Sequence, residues 1–299
     1  LYGYSAKRKK RTTCCTKISG IGSIESDPKM SKRKLDLQEI HKYEVDLLKI
    51  FVEICEENNL KYYLAGGSLL GAIRHKGFIP WDDDIDILMP RPDYMKFQEI
   101  DIKKYCPKNV KRASYELGNL NYPFCKLFNM DIHIDKEYIF DSTETNLWID
   151  ILPMDALPND EKKINRIFKK SLLARRILKL QKAVLGKGTS KFKIILKYIL
   201  KPIVALIGME RVLKYINKLA LKYDYDQADL IGGIVMGYGP QETMQKSEYI
   251  PIEKVEFEGM IVNAPKCWDY YLKSLFGNYM VLPPEDKRQV HIMTMWIDE

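Results

Sequence analysis

The sequence lacks an apolar run that would cross a membrane, a paired cysteine motif and any internal repeat. Its uncharged apolar stretch "PIVALIGM" at residues 202–209 falls well short of the roughly 20 residues that a transmembrane helix needs. The six cysteines include no C-x-x-C pair, which argues against a zinc site and a disulfide scaffold and favours a reducing compartment. The chain is 46% hydrophobic and 29% charged, the composition of an ordinary globular protein.

Residues 1–30 differ in character from the rest of the chain. They show no apolar periodicity, and they lack the apolar stretch of a signal peptide. Met30, which would serve as a start residue, stands at their end. We therefore predict an expression tag with a linker, and the alternative is a natural basic tail.

Charge is distributed unevenly along the chain. Residues 1–30 carry seven basic and two acidic residues, a net charge of +5. Residues 161–222 carry eighteen basic residues against two glutamates, a net charge of +16. Because the whole chain has a net charge of +8, the remaining residues carry −13. An acidic body with one strongly basic block predicts two surfaces with different partners.

The apolar spacing predicts an α+β chain. A helix is expected over 35–59, a short strand at 61–65, a helix N-capped by Ser68, and a half-buried strand at 84–89. Further strands are predicted for "FCKLFNM", "YIFDS" and "LWIDILP", then a hairpin or bent strand at 254–262 and a helix at 266–276. We expect a core at 31–160, a basic helical segment at 161–223, and a C-terminal part at 224–299 that completes the core.

Four aspartates crowd into residues 82–86, just before an apolar run. On a strand, Asp84 and Asp86 would point to the same face, since residues two apart do so. Two close carboxylates stay ionised when a cation neutralises them, and Mg²⁺ favours such oxygen ligands. Asp82 shares that face or turns away in the loop, and Asp83 is expected to point away. A solvated acidic turn is the alternative.

Two further features favour a site for a phosphate and a metal. A strand that ends in Gly66 and Gly67 and leads into a helix places backbone N–H groups where they can hold a phosphate. Asp150 lies between apolar residues of a predicted strand, where an aspartate is costly unless it is paired or metal-bound. A satisfied residue at a strand edge is the alternative for Asp150.

Residues 62–97 resemble the LicD family, a branch of the nucleotidyltransferase superfamily that also includes fukutin-like proteins. The resemblance rests on Gly66, Gly67, Ser68, Leu70, Gly71, Arg74, His75, Gly77, Phe78, Pro80, Trp81, Asp82, Asp84, Asp86 and Arg91. It continues through "CKLFN", "WIDILPMDALPND", "EFEGMIVNAPKCWDYYLKSLFGNYM" and "LPPEDKRQVH". It therefore covers most of residues 35–292.

The resemblance implies a nucleotidyltransferase fold, a small mixed sheet flanked by helices, here with the basic helical segment inserted. It implies Mg²⁺, with Mn²⁺ as the alternative ion, held by the catalytic residues Asp84, Asp86 and Asp150. The Gly-Ser turn of the superfamily contacts donor phosphates, which here means Gly67 and Ser68. The cysteine cluster that some eukaryotic relatives use for zinc has no counterpart in this sequence, so no zinc is expected.

The resemblance also implies an enzyme that moves phosphocholine from CDP-choline to a sugar hydroxyl, for which we expect a lipid-linked teichoic acid precursor. The alternatives are transfer of another group, such as an alditol phosphate, from a CDP-linked donor, and an RNA nucleotidyltransferase. Further donor contacts are predicted for Arg74, His75, Lys126, Lys287, Arg288 and His291. Aromatic faces hold quaternary ammonium groups best, and the candidates are Trp81, Tyr94, Tyr115, Tyr122 and Trp148.

The basic block suggests a partner of its own. Lys193, Lys197 and Lys201 recur every four residues among aliphatic side chains, as in a helix that lies in a membrane interface. We therefore expect a cytoplasmic protein at the inner face of the plasma membrane, bound through residues 161–223. A homodimer contact or internal packing is the alternative. The scarcity of aromatics in this block argues against nucleic acid.

Overall fold

The computed structural model describes residues 31–188, 190–288 and 293–299, so the predicted tag lies outside the described residues. Its helices are α1 (Leu37–Glu57), α2 (Gly66–His75), α3 (Arg91–Glu99), α4 (Glu161–Lys182), α5 (Lys191–Ile207), α6 (Met209–Ala220), α7 (Lys246–Tyr249) and α8 (Trp268–Phe276). Its strands are β1 (Lys32–Lys34), β2 (Tyr63–Leu64), β3 (Asp86–Pro90), β4 (Val110–Ser114), β5 (Cys125–Lys136), β6 (Asn146–Leu157), β7 (Leu230–Gly232), β8 (Met244–Gln245), β9 (Ile252–Phe257), β10 (Met260–Pro265) and β11 (Met293–Asp298).

One mixed sheet organises the described residues. Its main strand order is β1-β11-β5-β6-β3-β2, with β4 beside β5 and β7 between β6 and β8. β3 and β6 run parallel, whereas the other pairs of this sheet are antiparallel. β9 and β10 form the predicted hairpin apart from it. The predicted α+β class with a mixed sheet and flanking helices is confirmed.

Helix α1 packs an apolar stripe against this sheet. Its first turn is closed by a capping box, in which Asp36 accepts the N–H of Glu39 and the Glu39 side chain accepts the N–H of Asp36. Leu48, Phe51 and Ile54 are fully buried. Full burial of such a side chain contributes about 1.5–3 kcal/mol, so the stripe fixes α1 firmly against the strands that carry the site.

The basic segment forms α4, α5 and α6, as its helical pattern predicted. α4 and α6 bury apolar side chains in the main core, among them Ile167, Phe168 and Ile216. α5 differs, because Val204 is its one buried side chain. Among the described residues, the helices are all too short or too polar to cross a membrane.

Two local predictions are wrong. The stretch "YIFDS" forms no strand apart from a single bridge of Ile139, because Asp141 turns the chain by accepting the N–H and the hydroxyl of Thr143. The strand predicted from Asp84 begins at Asp86. Because Asp84 precedes the strand, the alternation of side chains along a strand does not determine the direction of its side chain.

Candidate active site

Three charged side chains stand side by side on three neighbouring strands. Asp86 of β3 lies in register with Asp150 of β6, and Asp150 lies in register with Lys126 of β5. Partners in register project from the same face of a sheet. The Lys126 Nζ atom lies 2.6 Å from Asp150 Oδ1. The sheet thus assembles two of the three predicted catalytic carboxylates in one row with a cation that pairs with Asp150.

The first turn of α2 adjoins this row. The helix begins at Gly66, so Ala65 is its N-cap and the predicted cap at Ser68 is wrong. The Ser68 hydroxyl instead accepts the N–H of Asp86 at 2.8 Å and contacts the carbonyl oxygen of Asp84 at 3.4 Å. Ser68 therefore ties the start of α2 to the start of β3.

Glycine is required where α2 meets the aspartates. A methyl group on Gly67 would come within 2.6 Å of Asp82 Oδ2, and one on Gly66 within 3.4 Å of Asp86 Oδ2. Gly66 also has a φ of +50°, which favours glycine. The first N–H groups of a helix have no acceptor within the helix and attract anions. The two glycines keep side chains away from this end of α2, where a phosphate contact stays a prediction.

We expect Gly67→Ala to lower transfer activity by about 100-fold, because the new methyl group must displace the Asp82 carboxylate and misplace the reacting groups. The free energy of unfolding should change little, since a flexible side chain yields. Gly71→Ala is the matched control. Its methyl group would lie 2.4 Å from the backbone oxygen of Gly77, which cannot move aside as a side chain does, so this variant should lose stability. Kinetics and urea unfolding of both variants check this. Equal losses of stability would contradict it.

Burial and repulsion between like charges govern the pKa values in the carboxylate cluster. The pKa of Asp86 is raised well above its usual range by burial and then by the charges of Asp84, Asp150 and Asp82, which Lys126 only partly offsets. Asp84 has the largest effect of these charges. Asp82 and Asp84 therefore belong to the cluster even though both precede the strand.

A fifth carboxyl group, Glu44, faces the cluster from α1. It is only 1% exposed, and burial followed by the charges of Asp84, Asp83 and Asp82 raises its pKa well above the usual range. Sequence reasoning missed Glu44. The signal was present, because Glu44 falls four residues after Ile40 on the apolar stripe of α1.

The charge of this cluster fits a hard divalent cation, which relieves repulsion between carboxylates. Asp86 and Asp150 would hold it, with Asp84 beside them. The arrangement is not preformed, since no three Asp, Glu, His or Cys side chains within 31–188, 190–288 and 293–299 are placed to hold a metal ion. The metal assignment of Asp84, Asp86 and Asp150 stays a prediction.

Lys126 is a fixed counter-ion of the site. It is only 2% exposed, and its Nζ atom lies 2.6 Å from Glu144 Oε1 as well as from Asp150. Although burial opposes it, the ammonium groups of Lys126 and Lys136 lower the pKa of Glu144 to about 2. The ammonium group of Lys126 is thus engaged by two protein carboxylates, and its contact with a donor phosphate stays a prediction.

Two aromatic side chains predicted for choline already face cations of the chain itself. The Trp148 ring lies 3.9 Å from Lys126 Nζ and 4.1 Å from Lys136 Nζ. The Tyr122 ring lies 3.1 Å from Lys182 Nζ. Each of these rings therefore already has an internal ammonium group against it, and the choline contact of Tyr122 and Trp148 stays a prediction.

The remaining aromatic candidates for a choline contact differ in burial and in their contacts. Tyr94 is fully buried, and its hydroxyl donates to Glu116, so it belongs to the core and the prediction for Tyr94 is corrected. Tyr115 is half-buried and packs against the main core. Trp81 is half-buried next to Asp82, and the guanidinium of Arg288 lies 4.3 Å from its ring. Trp81 and Arg288 are thus predicted donor contacts that lie beside the loop of Asp82, Asp83 and Asp84.

The other predicted donor contacts are not gathered at the aspartates. Arg74 and His75 lie at the C-terminal end of α2, roughly 12 Å along the helix from Gly67. Arg74 donates to the carbonyl of Tyr279 at 2.7 Å and to His75 at 2.9 Å. His291 and the side chain of Lys287 lie outside the described residues.

Sequence reasoning also missed a brace behind the first turn of α2. The N–H of Gly66 donates to the Tyr271 hydroxyl at 3.3 Å, and this hydroxyl donates to Glu242 Oε1 at 3.0 Å. Glu242 Oε2 accepts the N–H of Tyr238 at 3.0 Å. A methyl group on Gly237 would lie 2.3 Å from Oε2. The density of glycines before Glu242 was the available signal.

Burial raises the pKa of Glu242 to about 7, although its hydrogen bonds and Arg175 oppose the shift. The folded state therefore binds a proton more tightly than the unfolded state between pH 4.5 and 7. The free energy of unfolding should fall as the pH rises through this window, by about 3 kcal/mol in total. Glu242→Gln removes this titration. Urea unfolding of both proteins at pH 5 to 8 checks the prediction, which equal pH profiles would contradict.

Together the mixed sheet, the aspartate cluster and the glycine-rich start of α2 define a phosphotransferase of the nucleotidyltransferase class. Residues 59–170 match the family model "LicD/FKTN/FKRP, nucleotidyltransferase domain". The chain is 30% identical over 264 residues to the lipopolysaccharide cholinephosphotransferase LicD of Haemophilus influenzae, covering 87% of this chain and 97% of that protein. The chain therefore belongs to the LicD family.

A second similarity is local. The human ribitol 5-phosphate transferase FKRP is 53% identical over 36 residues, which cover 12% of this chain and 7% of FKRP. An uncharacterized protein of Rickettsia typhi is 37% identical over 115 residues, or 38% of this chain and 33% of that protein. The match to LicD of Haemophilus influenzae thus extends over nearly the whole chain, whereas these two are partial.

Proposed function

We propose that this protein transfers phosphocholine from CDP-choline to a sugar hydroxyl of a cell-surface glycan precursor of the teichoic acid type. One observation carries the proposal: the glycine-rich N-terminus of α2 adjoins a row of carboxylates on the sheet. An anion site beside a cation site suits a diphosphate donor. The similarity to a cholinephosphotransferase over 97% of its length supports choline phosphate as the group that moves.

The chain's own residues have distinct parts in this reaction. The N–H groups at Gly67 and Ser68 would bind the donor diphosphate, and the Ser68 hydroxyl keeps this turn against Asp86. When a divalent cation is bound at Asp84, Asp86 and Asp150, it would neutralise the charge that develops on the diphosphate. Asp150, oriented by Lys126, would accept the proton of the acceptor hydroxyl.

The bond changes balance without a further reactant. The acceptor oxygen forms a bond to the phosphorus of phosphocholine, and the bond between that phosphorus and the bridging oxygen of the diphosphate breaks. CMP leaves with the electron pair, and the hydroxyl proton passes to Asp150. We place the reaction at the inner face of the plasma membrane, where a lipid-linked precursor would be presented.

Calorimetry with CDP-choline, CTP and CDP-ribitol in the presence of Mg²⁺ tests the donor. We expect the tightest binding for CDP-choline, and no binding without the divalent cation. Transfer to a teichoic acid precursor and to a lipopolysaccharide acceptor, followed by mass spectrometry, then tests the acceptor. Clear binding of CDP-ribitol without binding of CDP-choline would overturn the phosphocholine assignment.

Transfer of ribitol phosphate is the second candidate, and the 53% identity to human FKRP over 36 residues is the observation that favours it. The same titration separates it from the first candidate, because the two donors share the CDP part and differ in the group that moves. Preference for CTP over both would instead support the third alternative, a nucleotidyltransferase acting on RNA.

A further inference from the structure

Helix α5 exposes a continuous apolar face. Phe192, Ile195, Ile199, Ile203 and Leu206 are each more than half exposed, and Leu206 reaches 83%. With 3.6 residues per turn, these five positions fall within about 80° around the helix axis. Isolated exposed apolar residues need no explanation, but a contiguous patch of this kind marks an interaction surface.

The predicted lysine stripe faces the other way. The Lys197 Nζ atom donates to the carbonyl of Lys187 at 2.7 Å, and the Lys201 Nζ atom donates to the carbonyl of Ala183 at 2.5 Å. Both lysines therefore fasten α5 to the segment that follows α4. The structure corrects the picture of an outward lysine stripe at Lys197 and Lys201, because the polar side of α5 holds the helix to the protein and the apolar side faces outward.

Basic charge is exposed on the two helices that contact α5. Exposed basic side chains project from α4 and α6, including Lys169, Arg176, Lys179, Arg211 and Lys218. The segment 161–222 has a net charge of +16. An apolar strip carried by a strongly basic segment complements an anionic bilayer, which supplies acyl chains and negative headgroups together.

We propose that the outward face of α5 inserts into the interfacial layer of an anionic membrane and that the surrounding basic side chains of α4 and α6 contact its headgroups. At 17 residues, α5 is about 25 Å long and lies along the surface. A second copy fits the face less well. A two-fold contact would bring two basic blocks, each of +16, against one another.

This inference rests on the proposed function in one respect, the identity of the membrane, which would be the inner face of the plasma membrane. A face that anchors the protein beside a bilayer would bring the aspartate cluster to lipid-linked acceptors rather than to free glycans. Binding to lipid is measured without donor or acceptor. Failure of phosphocholine transfer and failure of membrane insertion are therefore separate results.

The test is co-sedimentation of the full chain with vesicles of phosphatidylcholine alone and of phosphatidylcholine with phosphatidylglycerol. We expect binding to the anionic vesicles that weakens at high salt. The double variant Ile199→Glu with Ile203→Glu should lower the partition coefficient by about 100-fold, because two inserted side chains become charged. Both positions are more than half exposed, so circular dichroism should show an unchanged fold.

The matched control is Ile252→Glu with Ile261→Glu, which adds the same charge at exposed isoleucines of the β9–β10 hairpin. It should bind vesicles as the wild type does. Equal loss in both double variants would show that net charge alone governs binding and would overturn the proposal. A wild type that stays in the supernatant but forms dimers, which Ile199→Glu with Ile203→Glu dissociates in sedimentation velocity, would assign the face to a second copy instead.

Discussion

Asp86→Asn is expected to abolish transfer, with a loss of about 10³-fold or more in kcat, while the protein stays folded. Asp86 lies in register with Asp150 and is repelled by it and by Asp84 and Asp82. The neutral amide removes both the charge that would hold a cation and this repulsion. The free energy of unfolding should therefore stay the same or rise, which urea unfolding measures beside the transfer assay.

Asp83→Asn is the matched control for this variant, because it removes the same charge from the same run of aspartates, and the charge of Asp83 is not among the main causes that raise the pKa of Asp86. It should retain most of the activity. Equal loss of activity in both variants would contradict the special position of Asp86. A marked loss of stability in Asp86→Asn would show that its carboxylate serves the fold.

Lys126→Met is expected to destabilise the fold by about 3–5 kcal/mol and to abolish transfer. Its ammonium group is the shared partner of Glu144 and Asp150. Removal leaves buried carboxylates without their counter-ion, a change that costs more than the intact pair contributes. Urea unfolding measures the loss of stability, and donor titration of the folded fraction measures the loss of the site.

A second substitution distinguishes this cause from a simple packing defect. In Lys126→Met with Glu144→Gln, one stranded charge is removed, so part of the stability should return while transfer stays low. Lys136→Met is the matched control, because Lys136 also pairs with Glu144 but is more exposed, at 18% of its side chain. Additive losses in the double variant would contradict the proposed coupling.

The parts of the site that the sequence predicted are local in the chain. Gly67, Ser68, Asp84 and Asp86 lie within twenty residues, and their spacing reflects one helix and the strand that follows it. Apolar periodicity predicted α1 and the β9–β10 hairpin for the same reason, since a repeat of 3.6 or 2 residues is visible without any partner.

The sequence did not show the surroundings of residues whose partners are far along the chain. From the sequence, Lys126 was predicted to contact a phosphate and Trp148 to contact choline. In the structure, the β5–β6 register places Lys126 against Asp150 and against the Trp148 ring. Tyr94 is an aromatic residue like Trp81 in the sequence, yet one is fully buried and the other half-buried. Nothing in local spacing distinguishes these cases.

The family, the α+β class, the glycine-rich start of α2 and the run of aspartates could be read from the sequence, because each depends on residues close together in the chain. Which charges meet depends on the tertiary structure. The register of β3, β6 and β5 set Asp86 beside Asp150 and Asp150 beside Lys126. The tertiary structure also turned Lys197 and Lys201 of α5 toward the protein and left the apolar face of α5 exposed, since a helix pattern specifies two faces but only the neighbouring elements determine which of them is covered.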